Sequence, residues 1–207
     1  MGRCQRYGSL HPPESVTPVD TQTTTTFFAL LALLCNVAAA GIVVVWVAAR
    51  RSPVAASWRD AIAGSPGRWP VVLAWVVATV SMLGSLYYSE VVHFVPCELC
   101  WYQRIAMYPL AVILGIAALR VDGGVRWYAQ PLAAAGALIA VYHWLIQRFP
   151  SLEAGECSLA VPCTSKYVER FGFVTIPYMA ASAFLLIVVL LAVWRPHDRD
   201  LAGPARG

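Results

Sequence analysis

Five apolar stretches of about 20 residues each leave this chain few folds to choose from: Phe27–Ala49, Trp69–Ser89, Cys100–Leu119, Trp127–Ile146 and Val174–Trp194. A helix of that length is what a hydrocarbon core of about 30 Å requires. Of 207 residues, 59% are hydrophobic and 13% charged, against about a quarter charged in a soluble domain. The expectation is an all-α membrane protein: a four-helix transmembrane bundle over 69–194 plus one additional N-terminal transmembrane helix over 27–49. Residues 1–26 read as a disordered tail, 50–68 as a polar connection and 195–207 as a second polar tail. The net charge of +4 carries no nucleic-acid signal, because the arginines flank apolar segments instead of gathering with aromatics on one face.

The first stretch has a rival reading as a cleaved signal peptide, with Ala38-Ala39-Ala40 as a small-residue cleavage site. The apolar run continues nine residues past that site and stops at Arg50-Arg51, as a retained span does. A lipoprotein reading of Cys35 is opposed by the large Leu34 before it. Counting cations orients the spans. Arg50, Arg51, Arg59, Arg68, Arg120, Arg126, Arg195, Arg199 and Arg206, nine of the 15, fall in alternate connections and the C-terminal tail. Those segments are expected to be cytoplasmic. The loops around Cys97 and Cys157, and the N-terminus, then face outward.

Four of the six cysteines form two short-spaced pairs in those outward loops. Cys97 and Cys100 make a Cys-x-x-Cys pair where the third span begins, with Pro96 suited to the first turn of a helix. A helix N-terminus and a nearby cation lower a thiol's pKa, and the cation is Arg104, one turn beyond Cys100. A redox dithiol is the reading this favours; a structural disulfide or half of a zinc site are the alternatives. Haem attachment needs His after the second cysteine, where Trp101 stands. Cys157 and Cys163 are either a structural disulfide or a second, exchangeable one.

Arg104 inside a span either snorkels to the nearby interface or serves chemistry, by stabilising a thiolate or negative charge on an electron acceptor. His143 and Gln147, one turn apart at the outward end of the fourth span, either line a polar pocket with Arg104 or satisfy the interface. Glu90 and His93 read as solvated, Cys35 as a small apolar side chain and Cys4 as a tail residue without a role. No phosphate-cradling Gly-rich loop, Ser/His/Asp set or carboxylate pair is present. A dithiol relay in a bilayer still needs an electron sink, and a quinone is the lipid-soluble two-electron acceptor that fits.

The run Cys97-Glu98-Leu99-Cys100-Trp101-Tyr102-Gln103-Arg104, followed by Tyr108-Pro109, resembles the DsbB/BdbC disulfide bond formation family. Tyr142-His143 with Gln147, and Cys157 to Cys163 followed by Phe171-Gly172-Phe173-Val174-Thr175-Ile176-Pro177, resemble its BdbC branch. The resemblance implies a four-helix bundle in the cytoplasmic membrane of a prokaryote. Such a bundle reoxidises a thioredoxin-like thiol:disulfide oxidase (DsbA/BdbD type) and passes electrons to ubiquinone or menaquinone. It further implies that Cys100 faces the quinone with Cys97 as its disulfide partner, and that Arg104 supports that contact. Cys157 then forms the mixed disulfide with the oxidase and Cys163 resolves it. Vitamin-K-epoxide-reductase-like enzymes also carry two cysteine pairs, but with the loop pair first; here the order is reversed. The extra span Phe27–Ala49 departs from the family's four.

Overall fold

The structure, a computed structural model, describes residues 18–64, 69–120, 122–152 and 162–194. They form six α-helices: α1 (Pro18–Ala48), α2 (Pro53–Gly64), α3 (Trp69–Leu86), α4 (Glu98–Arg120), α5 (Arg126–Arg148) and α6 (Ile176–Val193). All but α2 belong to segments long and apolar enough to cross a membrane, which makes this an all-α, multi-pass membrane protein. The helices α3 to α6 close a ring in which each packs on its sequence neighbour and α6 returns to α3. Leu110, Leu114, Phe184, Ile187, Leu190 and Leu191 fill its centre. A Cβ on Gly136 of α5 would strike the ring of the fully buried Phe184, so glycine is what lets α6 lie this close to α5.

Outside the ring, α1 packs against α6. Its inward seam is Thr25, Ala29, Ala32, Asn36 and Ala39, spaced alternately four and three residues apart. Small side chains there bring the backbones together, and without a hydrophobic drive between helices in lipid, close packing and hydrogen bonds hold such a pair. Asn36 donates to Tyr178 Oη (3.0 Å) and Ser182 Oγ (2.9 Å) on α6.

Two boundaries differ from expectation. The helix α1 begins at Pro18, so residues 18–26 are not tail. Several polar groups there find partners: Tyr88 Oη bonds Thr25 Oγ1 (3.2 Å), Thr26 Oγ1 bonds the Gln22 carbonyl (2.8 Å), and Arg170 Nη2 reaches that carbonyl too (2.9 Å). The polar connection 50–68 likewise contains α2. Ser52 Oγ accepts from the Ala55 N–H (3.4 Å) and Pro53 takes the first helical position, so a helix starts inside the stretch expected to be a polar connection. Residues 1–17 and 195–207, including Cys4 and the C-terminal tail, lie outside the described residues.

Candidate functional site

The Cys-x-x-Cys pair sits where an irregular segment turns into α4. The Cys97 carbonyl accepts from the Trp101 N–H (3.1 Å), which makes Cys97 the cap of α4 and puts Pro96 just outside the helix, not in its first turn. Both sulfurs are therefore at the positive end of the helix dipole and 3.0 Å apart, close enough to hydrogen-bond as a dithiol. The hydrogen bond from Cys97 to Cys100, helped by burial and opposed by a contact with Cys163, pushes the Cys97 thiol up to about 12. Of the two sulfurs, Cys97 is the one that keeps its proton.

On the α5 side the pair meets a sealed polar cluster. His143 is 1% exposed and Gln147 7%. Gln103 Nε2 lies 2.9 Å from His143 Nδ1, and His143 Nε2 lies 3.0 Å from the Cys163 carbonyl oxygen. The assignment consistent with both contacts is a neutral imidazole with its proton on Nε2, since an amide N–H needs an acceptor at Nδ1. That same Nε2 is 3.6 Å from Cys97 Sγ. Gln147 donates to the Ser165 carbonyl (3.0 Å), so both α5 side chains pin the returning loop beside the cysteines. Cys97 Sγ, Cys163 Sγ and the His143 ring nitrogen all lie within 4.8 Å of one another. Cys157 lies outside the described residues.

The α3 side is different. A cavity of about 520 Å³ opens between α1, α3, α4 and α6, within the usual range for ligand pockets. Its walls are almost wholly apolar, and its polar groups gather where Cys100, Gln103, Arg104, Ser85 and Tyr108 meet. Arg104 donates through Nε to Ser85 Oγ (3.0 Å) and through Nη2 to the Ser85 carbonyl (3.2 Å), with its guanidinium 5.2 Å over the Trp101 ring. Its Nη1 has no partner among the described residues. Arg104 is thus held within the bundle by α3 and faces the cavity. His143 and Gln147 do not share this cavity with Arg104; they stand across the cysteine pair from it.

Above the cavity lies an aromatic ladder. Tyr88 and Phe94 stack at 5.9 Å, Phe94 and Tyr167 at 4.8 Å, and Phe28 of α1 lies 6.0 Å from Tyr88. Tyr167 Oη closes the ladder onto the Val95 carbonyl (3.1 Å). Tyr88 comes from a π-helical turn, Tyr87–Val91, that extends α3, a distortion frequent at functional sites. All four rings line the same cavity as Cys100. Sequence reasoning gave no role to Gln103, Ser85 or Tyr167. Gln103 carried a signal, a polar side chain one turn after Cys100 and so on the face of the dithiol. Ser85 and Tyr167 carried none, because their partners are distant in the chain.

With this geometry in hand, comparison with known proteins is direct. The family described as "Disulfide bond formation protein DsbB" matches residues 67–194. The "Disulfide bond formation protein C" of Bacillus subtilis (strain 168) is 50% identical over 128 residues, 61% of this chain and 93% of that protein. The "Probable disulfide formation protein C 2" of Bacillus anthracis is 47% identical over 126 residues, 61% of this chain and 90% of the relative. The "Probable disulfide formation protein" of Oceanobacillus iheyensis is 48% identical over 132 residues, 62% of this chain and 91% of the relative. No solved structure matches the chain significantly. The matched region contains the whole ring of helices, both cysteines of the Cys-x-x-Cys pair and the returning loop, and on that ground the chain belongs to the DsbB family of disulfide bond formation proteins, membrane oxidoreductases.

Proposed function

We propose that this protein reoxidises an extracytoplasmic thioredoxin-like thiol oxidase of the DsbA/BdbD type and delivers the electrons to a quinone. The observation that carries this reading is the position of the dithiol between two unlike surroundings. Cys163 and a polar cluster stand on one side, and on the other an apolar cavity with an Arg104 nitrogen that has no partner among the described residues. The cavity suits a quinone: its walls match a lipid-soluble molecule, and Arg104 Nη1 is a charged donor left for a carbonyl oxygen. When bound, a quinone supplies a sink for two electrons and two protons, and ubiquinone and menaquinone both meet that description.

The residues then act in sequence. A thiolate of the reduced oxidase attacks the Cys157–Cys163 disulfide at Cys157, forming a mixed disulfide and releasing Cys163. The oxidase's second thiol resolves it, and not Cys163 as the resemblance implies, because attack of Cys163 on Cys157 would only re-form the loop disulfide and return the oxidase reduced; the oxidase leaves oxidised and the loop pair is a dithiol. Exchange with a Cys97–Cys100 disulfide restores the loop disulfide and reduces the inner pair, with His143 and Gln103 positioning Cys97 against the loop. In the reduced pair Cys97 retains its proton and hydrogen-bonds Cys100, so Cys100 is the sulfur that yields electrons toward the cavity. Arg104, always charged, offsets the negative charge that develops there. Cation counting puts both cysteine loops outside the cytoplasmic membrane and the C-terminus inside.

The test is quinone reduction by the reconstituted protein supplied with a reduced thioredoxin-like dithiol protein, comparing wild type, Cys100→Ala and Cys157→Ala. Loss in both variants is the expected result. Loss in Cys100→Ala alone reduces the loop pair to a structural role, and an inactive wild type with either quinone overturns the reading.

A second reading rests on the Cys97, Cys163 and His143 cluster, whose ligand atoms are close enough for a metal ion such as zinc. It requires His143 Nε2 to lose its proton and its bond to the Cys163 carbonyl, and thiols that an oxidising compartment removes. Stoichiometric zinc in the purified protein decides for it, since two disulfides leave no thiolates to bind metal.

A further inference from the structure

We infer that α1 is the wall of the acceptor cavity along which an isoprenoid tail lies, a deepening of the quinone reading above and resting on it. The family match begins at residue 67, so α1 belongs to the part of this chain that those relatives do not share. Yet Phe28, Leu31, Leu34, Cys35 and Ala38, three turns of α1, line the cavity. Opposite them α3 lines it from Leu73 to Ser85, a length of about 18 Å at 1.5 Å per residue. A quinone ring occupies only the end beside Cys100 and Arg104. The remaining length is apolar, as a polyprenyl chain requires.

The attachment of α1 explains why this space exists. Asn36 clamps α1 to Tyr178 and Ser182 of α6, and the small residues Ala29, Ala32 and Ala39 are buried along that seam. Between α1 and α3 the helices stand apart, and Phe28 bridges the gap at its outer end. A Cβ on Gly84 would lie 2.9 Å from that ring, so the α3 backbone is the surface on which Phe28 rests. Below this crossbar the cavity is open between α1 and α3. Without α1, the tail-bearing length of the cavity would be a groove on α3 and α6 facing bulk lipid, with nothing to favour a polyprenyl chain over an acyl chain.

A quinone bearing a diazirine in its tail, photolysed with the full-length protein in lipid vesicles, tests this by peptide mass spectrometry. The expected result is labelling of α1 between Phe28 and Ala38, suppressed at least five-fold by excess unmodified quinone. Labelling confined to α3, α4 and α6, in protein that reduces quinone, overturns the role of α1 and leaves the quinone reading standing. Protein that neither reduces quinone nor shows competable labelling loses both. Kinetics supply a second arm. With Cys35→Trp, which fills the cavity from α1, the ratio of KM for a long-tailed quinone to KM for a tailless one is expected to rise about ten-fold. A ratio unchanged from wild type counts against the tail lying on α1 as directly as the missing crosslink.

Discussion

On the α5 side of the Cys97–Cys100 pair, buried polar side chains engage one another and the returning loop: Gln103 with His143, His143 with the Cys163 carbonyl, Gln147 with Ser165. On the α3 side there is open apolar volume, with polar groups gathered at one end and a guanidinium nitrogen to spare. The two sides are separated by little more than the pair itself, whose sulfurs are 3.0 Å apart. Disulfide exchange needs sulfurs brought into line and held there, which a buried hydrogen-bonded network does well because each bond in it is costly to break. Delivery of electrons to a lipid-soluble acceptor needs room, dryness and one positive charge, which a packed polar network cannot offer. On the function proposed above, dividing the work between two faces of one dithiol lets each face keep the environment its own step demands.

That division can be broken from either side. The largest effect is expected for Cys100→Ala, which removes the sulfur common to both faces: quinone reduction falls to background, at least about 10³-fold, in the assay with reduced partner. Nearly as large is the protection of Cys97. With its pKa raised from 9.0 to about 12, its thiolate fraction at pH 8 is about 10³-fold below that of an ordinary thiol. Iodoacetamide should therefore spare Cys97 in the reduced protein, and its alkylation rate should keep rising past pH 9 instead of levelling. A plateau near pH 9 would show that Cys97 does not hold the proton.

Arg104→Ala attacks one face only. Loss of a single charged donor at developing negative charge costs about 10²-fold in the step it serves. That loss is expected in quinone reduction under single-turnover conditions, with exchange between partner and loop altered less than three-fold. Equal losses in both steps would erase the distinction between the faces. Gln103→Ala is the mildest and the mirror image. Freed from Gln103, the His143 ring loses the contact that sets its tautomer, and exchange between the loop and Cys97 should slow about ten-fold. The KM for quinone in that variant tests whether Gln103, which also borders the cavity, works on both faces; an increase above three-fold would assign it to both.

Much of this was legible in the chain. The five spans follow from apolar length, because a bilayer of fixed thickness leaves a helix little freedom in how many residues it uses. The dithiol's place at a helix start follows from Cys97 and Cys100 standing at the edge of an apolar run, although the capping residue proved to be Cys97 itself, which leaves Pro96 outside the helix instead of in its first turn. Arg104 stood out because charge inside a span is rare. Local polarity misled at residues 18–26 and 53–64, where a side-chain cap and distant partners turn polar sequence into helix.

By itself the sequence determined an all-helical membrane protein with a Cys-x-x-Cys pair at the head of one span and a cation one turn below it. Those properties depend on near neighbours in the chain and on a solvent that punishes unpaired backbone. Only the tertiary structure decided that His143 and Arg104 serve opposite sides of the pair. Spacing along α4 and α5 says that both lie near the outward end, but not which way each helix is turned. The same holds for the cavity: its walls come from four helices, and empty space between helices leaves no mark in any one of them.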